Sequence, residues 1–464
     1  MTSLLFYSKN DLDQINDNLD QIEQSATKLS YQLLEPNNDE YYKIKQIIID
    51  FIKEQKRIVY GGSAYHAIIQ HFRSDKDSNN TIYPDWSRFD IEFYSPDPIR
   101  DLVMICNRIN NIGIKYVIGR QAHHDETFTV FANFLQYCDM SYMPKIIFDK
   151  VNFIEIDNIR YIHPEMILID IFRMFNDPLT SYFRLTKVFK RMKLLMDKFP
   201  FDFKKSDIIK FEHFDDNNKL INFLLPKIVN SDFKFLFTGQ LAYLIYTNPN
   251  NKINTNDINQ LEIISDDLEN IVEFLKEIII EFLSINKLID KYDELFKISI
   301  YSRFFQYWDK RIVFFYKNNP IITVLGSANR CLPIINCQID DRLNINLSSF
   351  LVTFNYFFIG YHYEKINNFG FYFKDRNIIN SLITIRNDFL YKNNKTVIDK
   401  TIFREFIIEC IGKTTEFGRE YLLRINEKRK LGIKSSLSYD PEISKGTYIE
   451  YEFEQSDGNL IIFQ

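Results

Sequence analysis

At 464 residues, 45% of them apolar, the chain exceeds what one hydrophobic core spans, and two or three domains are expected. Its 57 basic residues against 62 acidic give a formal charge of -5, which excludes an overall cationic field, so a polyanionic partner would be held by local basic patches. The five cysteines (Cys106, Cys138, Cys331, Cys337, Cys410) form no CxxC pair and lie away from any His-rich tract, so reduced thiols are expected and a structural zinc is not. Leu4–Tyr7 is too short for a signal-peptide core and no apolar run approaches the ~20 residues of a membrane span, so a soluble, cytosolic protein without a membrane partner is expected.

In chain order, residues 8–36 are polar with apolar positions at Leu12, Ile15, Leu19, Ile22, Ala26 and Leu29, the rhythm of an amphipathic helical arm. A second helical pattern runs from Tyr41 to Gln55, and a short β run, Arg57–Tyr60, ends at Gly61-Gly62-Ser63 before a helix over Ala64–Phe72. Past a polar loop, Ser74–Asn80, the pattern predicts a strand at Arg88–Tyr94, a helix at Ile99–Asn110, and strands near Lys115–Ile118, Thr127–Leu135 and Gln136–Tyr142. His163-Pro164-Glu165 then opens a helical stretch reaching Phe199. The block is α/β with mixed strands, not the regular βαβ repeat of a dinucleotide-binding domain.

The second half repeats this order. Phe235–Tyr243 resembles Ile58–Tyr65, Gln260–Ser265 resembles Asp90–Ser95, and Ile322–Cys331 echoes Thr129–Cys138. The overlay puts Gln260 in place of Asp90 and Leu332 in place of Asp139, so the second copy is expected to lack the first copy's carboxylates and to serve structure. Two unrelated stretches in an Ile- and Phe-rich chain would also give similar strings, but three elements recurring in one order favour duplication.

Gly61-Gly62-Ser63 sits between strand and helix, where backbone amides and a hydroxyl can converge on one anionic ligand. In Phe89-Asp90-Ile91-Glu92-Phe93 the strand alternation sends Asp90 and Glu92 to one face and the apolar residues to the other. Paired carboxylates repel unless a cation joins them, and hard divalent ions such as Mg²⁺ or Mn²⁺ take oxygen ligands of this kind. Either piece alone is common: Gly-Ser turns cap helices, and acidic pairs line solvated strands.

Together, the Gly-Ser turn and the acidic strand resemble the signature of the DNA polymerase β-like nucleotidyltransferases. The resemblance implies that Gly61, Gly62 and Ser63 hold an incoming triphosphate and that Asp90 and Glu92 bind metal with a third carboxylate from a later strand. Asp139 is the candidate, with Asp125 and Asp149 as rivals in polar, loop-like contexts. Tyr60–Tyr65, Arg88–Tyr94 and the degenerate second copy are further similar to the catalytic subunit of poxvirus poly(A) polymerase and its giant-virus relatives. That likeness implies an N-terminal helical region (1–45), a catalytic domain with following helices (46–225) and a degenerate nucleotidyltransferase-like domain (226–464). It also implies transfer of AMP from ATP to an RNA 3′ end with two Mg²⁺ or Mn²⁺ ions, in the host cytoplasm or virus factory, by a chain that pairs with itself or with a processivity partner. Other polymerase β-like enzymes and a non-catalytic RNA-binding scaffold share parts of the pattern. Two basic stretches are candidates for phosphate contact: Arg184, Lys187, Lys190, Arg191 and Lys193, in which Lys187 and Lys190 would reach the triphosphate, and Lys413–Lys434. His123-His124-Asp125 is read as a loop rather than a metal site.

Overall fold

The computed structural model describes residues 6–34, 36–73, 82–83, 87–122, 124, 126–211, 215–249, 253, 255–328, 330–339, 343–367, 376–412, 417–431, 437–444, 451, 453 and 457–461. The Ser74–Asn80 loop, His123 and Asp125 lie outside them. The chain divides into two compact units that are not consecutive in sequence: Met1–Tyr142 with Phe153–Ile162 and Arg424–Tyr451, and Met143–Asn152 with His163–Leu423 and Glu452–Gln464. The helices Pro164–Phe175 and Leu185–Lys198 thus group with the second unit. They are two helices rather than one because Asn176 ends the first, and Pro178, next to Asp177, has no amide with which to continue it.

The arm forms the helix Lys9–Leu33, started by a capping box between Ser8 and Asp11. Its apolar positions Leu12, Ile15, Leu19, Ile22 and Leu29 all stay exposed. The next helix, Asn38–Gln55, buries Tyr41, Ile44, Ile48, Phe51 and Ile52.

The first unit carries β1 (Ile58–Tyr60), β2 (Ile91–Ser95), β3 (Ile118–Gln121), β4 (Thr127–Ala132), β5 (Leu135–Tyr142), β6 (Phe153–Ile156) and β7 (Ile159–Ile162) in the order β3-β4-β5-β2-β1-β7-β6. β2 starts later than Arg88 because the hydroxyl of Tyr41 bonds both the N–H and the C=O of Phe89. Those backbone groups are therefore not offered to a neighbouring strand.

The second unit carries β8 (Phe235–Thr238), β9 (Leu261–Ser265), β10 (Phe296–Tyr301), β11 (Arg311–Tyr316), β12 (Asn319–Gly326), β13 (Leu332–Gln338) and β14 (Asn344–Ser348), in the order β10-β11-β12-β9-β8-β14-β13. Strand for strand this is the order of the first sheet, and each parallel or antiparallel pairing has its counterpart. β15 (Cys410–Ile411) extends the second sheet beside β13, and β16 (Ser438–Tyr439) extends the first beside β3. The second sheet is thus a duplicate of the first.

Two expectations need correction. Asp139 is the ladder partner of Glu92, and in the second sheet Thr323 is the partner of Glu262. Thr323, not Leu332, therefore stands at the place of Asp139; the string overlay was out of register because similar apolar runs match at several offsets. The cysteines are not all reduced: Cys331 and Cys410 form a disulfide, brought within 5.3 Å between Cα atoms by the β13–β15 pairing. A sequence separation of 79 hides such a pair from spacing rules.

Candidate active site

β1 delivers the chain to Gly61, whose φ of +64° is a left-handed conformation that glycine adopts without a Cβ penalty. The helix Gly61–His71 begins at once, three residues before the expected Ala64. The turn is knitted to the acidic strand: the Gly62 amide donates to Oε2 of Glu92 at 2.8 Å, and the Ser63 hydroxyl donates to the carbonyl of Asp90 at 2.9 Å. A Cβ on Gly61 would lie 1.8 Å from that same Glu92 oxygen, so only glycine permits the approach.

Cross-strand pairing sets Tyr60, Glu92, Asp139, Thr129 and Arg120 in one row on one sheet face. Asp139 accepts from the Thr129 hydroxyl at 2.5 Å and from the Gln136 amide at 2.9 Å, and the same Gln136 nitrogen donates to Asp90 at 3.2 Å. One amide thus stands between two carboxylates, satisfying both. Burial pushes the Asp139 carboxyl up to about 6, with the neighbouring Asp90 charge adding to it.

Gln136 is aimed here by a bulge. The β4–β5 register slips between Val130 and Phe131, so Tyr137 is extra and Gln136 faces the same side as Phe131. Sequence alternation would have sent Gln136 and Asp139 to opposite faces, which is why Gln136 was not among the expected site residues. Glu92 lies beside Asp139 in the row but turns to Gly62, and among the described residues no three acidic, His or Cys side chains converge tightly enough to hold a metal ion as they stand. The donor set is nevertheless all oxygen, and a divalent cation would offset the burial and the smaller Asp90 repulsion that raise Asp139.

The other expected residues fall elsewhere. Asp149 pairs with Lys145 at the surface of the second unit. Lys187 and Lys190 are exposed on the helix Leu185–Lys198 of that unit. In the C-terminal basic stretch, Phe417–Lys430 is helical with Arg419 and Lys430 exposed, while Lys413 and Lys434 lie outside the described residues.

The second copy keeps the scaffold and replaces the chemistry. Gly239, with φ +60°, repeats Gly61; the Gln240 amide donates to Glu262 at 2.5 Å as Gly62 does to Glu92. Where Asp90 and Asp139 would stand, Gln260 donates to the Thr323 hydroxyl at 2.9 Å. Glu262 is buried, pushed up to about 8 by desolvation, and accepts from the Tyr356 hydroxyl. A protonated acid sealed by a tyrosine leaves no carboxylate pair for a cation.

The family model for "Poly(A) polymerase catalytic subunit" matches residues 46–181, and that for the C-terminal part of the mimivirus poly(A) polymerase catalytic subunit matches residues 200–460. The chain is 33% identical to the poly(A) polymerase catalytic subunit of Acanthamoeba polyphaga mimivirus over 94% of its own length and 78% of that protein's. The chain belongs to the poly(A) polymerase catalytic subunit family. The corresponding subunit of African swine fever virus (isolate Pig/Kenya/KEN-50/1950) is 31% identical over 29% of the chain and 28% of that protein. The crystal structure of the Megavirus polyadenylate synthase superposes with a TM-score of 0.86 at 29% identity, covering 100% of this chain and 94% of that one. A poly(A) polymerase is a nucleotidyltransferase, with ATP and RNA as substrates and a divalent metal in use, and the region matched to its catalytic part contains the Gly-Ser turn, Asp90, Glu92 and Asp139. Among the described residues, no helix is long and apolar enough to cross a membrane.

Proposed function

We propose that this poly(A) polymerase adds AMP from ATP to the 3′-hydroxyl of RNA without a template, at the first-copy site, with two Mg²⁺ or Mn²⁺ ions held by Asp90, Glu92 and Asp139. The observation that carries this is the convergence of Asp90 and Asp139 on one Gln136 nitrogen beside the Gly61–Ser63 turn. When bound, the metal supplies charge neutralisation of the phosphates and acidifies the attacking hydroxyl.

The 3′-oxygen bonds to the α-phosphorus, the bond from that phosphorus to the bridging oxygen breaks, and pyrophosphate leaves. Asp139 and Asp90 would hold the ion that activates the hydroxyl, whose proton passes to solvent, while Asp90 and Glu92 would hold the ion on the triphosphate. Gly62 offers its amide to a triphosphate oxygen in exchange for Glu92, which is thereby released to act as a metal ligand. Lys187 and Lys190 offer exposed positive charge to the phosphates of RNA or ATP. A second copy of the chain or a processivity partner completes the proposal, with the uncovered apolar positions of Lys9–Leu33 as supporting surface; light scattering with and without RNA tests it.

The direct test is an end-labelled RNA primer incubated with each NTP separately and with Mg²⁺ or Mn²⁺, beside Asp90→Ala. A ladder from ATP, absent in the variant, is expected. No extension from any NTP with either metal would sink the proposal.

A further inference from the structure

We propose that the half of the catalytic sheet face beyond Asp139 is a stacking platform for the last bases of the RNA primer, built from Tyr116, Phe131 and Phe134 with Arg120 as its cation. The inference rests on the tailing reading above and deepens it by placing the acceptor strand.

The platform continues the site. Arg120 lies in the row that contains Glu92, Asp139 and Thr129, with Ser438 of β16 beyond it, and in the adjacent row Ile118 pairs with Phe131, which pairs with Gln136, the residue bonded to Asp90. At about 5 Å per strand, Phe131 stands about 10 Å from the strand of Asp90 on the same face. An open cavity of about 170 Å³ lies among Tyr116, Ile118, Arg120, Phe131 and Phe134. Tyr116 and Phe134 stack on each other with centroids 5.0 Å apart, yet they are 61% and 81% exposed. Arg120 is exposed, lies 4.1 Å over the Phe131 ring, and makes no ion pair among the described residues. Exposed aromatic faces beside an unneutralised guanidinium are what single-stranded nucleic acid takes: bases stack and phosphates meet the charge.

The hairpin tip that carries Phe134 is held in place by its backbone. The β4–β5 turn puts Asn133 and Phe134 at φ +47° and +65°, and Tyr116 is at +53°. A left-handed conformation is costly for bulky residues, and such strain persists where the surroundings impose it. Here Asn133 anchors the tip by donating to Glu40 at 2.7 Å and to the carbonyl of Lys115 at 3.4 Å.

The second copy provides an internal control. Its matching turn is Lys317-Asn318, with φ +48° and +66°, so the same backbone is built there with an asparagine that tolerates it. By ladder register Ser299 stands for Arg120 and Asn318 for Phe134. The Phe134 ring and the Arg120 guanidinium are present in the copy that has the carboxylates and absent in the copy that lacks them, while Phe315 keeps a ring at the place of Phe131 and Lys297 stands at the place of Ile118.

The test uses the full chain and Phe134→Asn, which removes the ring while giving the turn the residue its duplicate uses, so folding is spared. With RNA primer and ATP varied in turn, KM for RNA is expected to rise about tenfold, the loss of one base–aromatic stack, with KM for ATP holding. Arg120→Ser is expected to reduce the salt slope of RNA binding by about one. In the Asp90→Ala background, an oligo(A) primer with 2-aminopurine near its 3′ end is expected to be quenched on binding, and quenching is expected to fall with Phe134→Asn. A wild-type KM for RNA with undiminished quenching overturns the platform. So does a rise in KM for ATP instead, which would assign the rings to the incoming nucleotide. Because the quenching assay needs no turnover, wild type that fails to extend a primer would defeat the tailing reading while leaving the platform separately tested.

Discussion

Gly61 and Glu92 occupy each other's space: a Cβ on Gly61 would meet Oε2 of Glu92 at 1.8 Å, and the same relation recurs between Gly239 and Glu262 at 1.9 Å. The two pairs share geometry but not chemistry, and substitution separates them. Gly61→Ala forces a left-handed alanine and displaces Glu92, so tailing is expected to fall by at least about a hundredfold, with a stability loss of about 1–2 kcal/mol. Gly239→Ala is expected to cost more stability, because the buried Glu262 cannot swing into solvent, while kcat per folded molecule changes less than twofold. Primer extension normalised to folded protein, beside thermal melts of both variants, checks the contrast. Equal losses of activity would mean that the second copy takes part in the chemistry.

Asp139 carries a pH signature. Its carboxyl ionises near 6 in the folded protein against an ordinary value of 3.8, so the native state holds the extra proton between those values. Stability that this group contributes at acid pH is lost as pH rises from about 4 to about 6. In chelator at pH 8, Asp139→Asn is therefore expected to be more stable than wild type by about 1–2 kcal/mol, less than the full shift because Asn cannot accept from both Thr129 and Gln136. The same substitution is expected to abolish tailing and remove stabilisation by Mn²⁺. Denaturant melts with chelator and with Mn²⁺ decide it; an Asp139→Asn protein less stable than wild type in chelator would refute the assignment.

What could be seen in the sequence was what is local. Gly61 and the Asp90/Glu92 alternation lie within short segments whose geometry follows from period 2 and from glycine's freedom at positive φ. Gln136 was hidden because one extra residue, Tyr137, reverses the facing of everything before it on β5, and a bulge leaves no mark in composition. Thr323 was missed for a related reason: only hydrogen-bond register fixes which residue opposes Glu262, and apolar strings slide. The helical period of Lys9–Leu33 was plain, but that its apolar face would stay exposed is a matter of tertiary placement that periodicity does not carry.

Glu262 offers a test of the degenerate copy by itself. Desolvation holds its carboxyl near 8 against an ordinary 4.5, so the folded state keeps a proton that the unfolded state releases between those values. Stability is expected to fall as pH rises through that window, by up to about 1.4 kcal/mol per unit, and to level off above it. Glu262→Gln should flatten this slope and leave primer extension unchanged. Trp308 stacks on Tyr356, whose hydroxyl donates to Glu262, and the chain has 2 tryptophans, so urea unfolding followed by its fluorescence in a Trp86→Phe background reads this region. An unaltered slope in Glu262→Gln would show that the carboxyl is ionised, and the degenerate site open to cations after all.

The Cys331–Cys410 bridge fastens a short strap to β13. β15 is two residues long and meets β13 through the pairs Leu332–Ile411 and Pro333–Cys410 and a bond from Ile334 to the Glu409 carbonyl. At Gly412 the strap runs so close to β13 that a Cβ would lie 2.1 Å from the Arg330 carbonyl, so the approach is built into the backbone and the disulfide fastens it. Closing a loop with a sequence separation of 79 removes much unfolded-chain freedom, and Cys410→Ser is expected to lower stability by about 2–4 kcal/mol. Reducing the wild type should cost the same amount, and reducing Cys410→Ser should cost nothing further. Alkylation of unfolded, unreduced protein should label Cys106, Cys138 and Cys337 and spare Cys331 and Cys410. Labelling of all five, with no stability change on reduction, would show that the strap is held by backbone pairing alone.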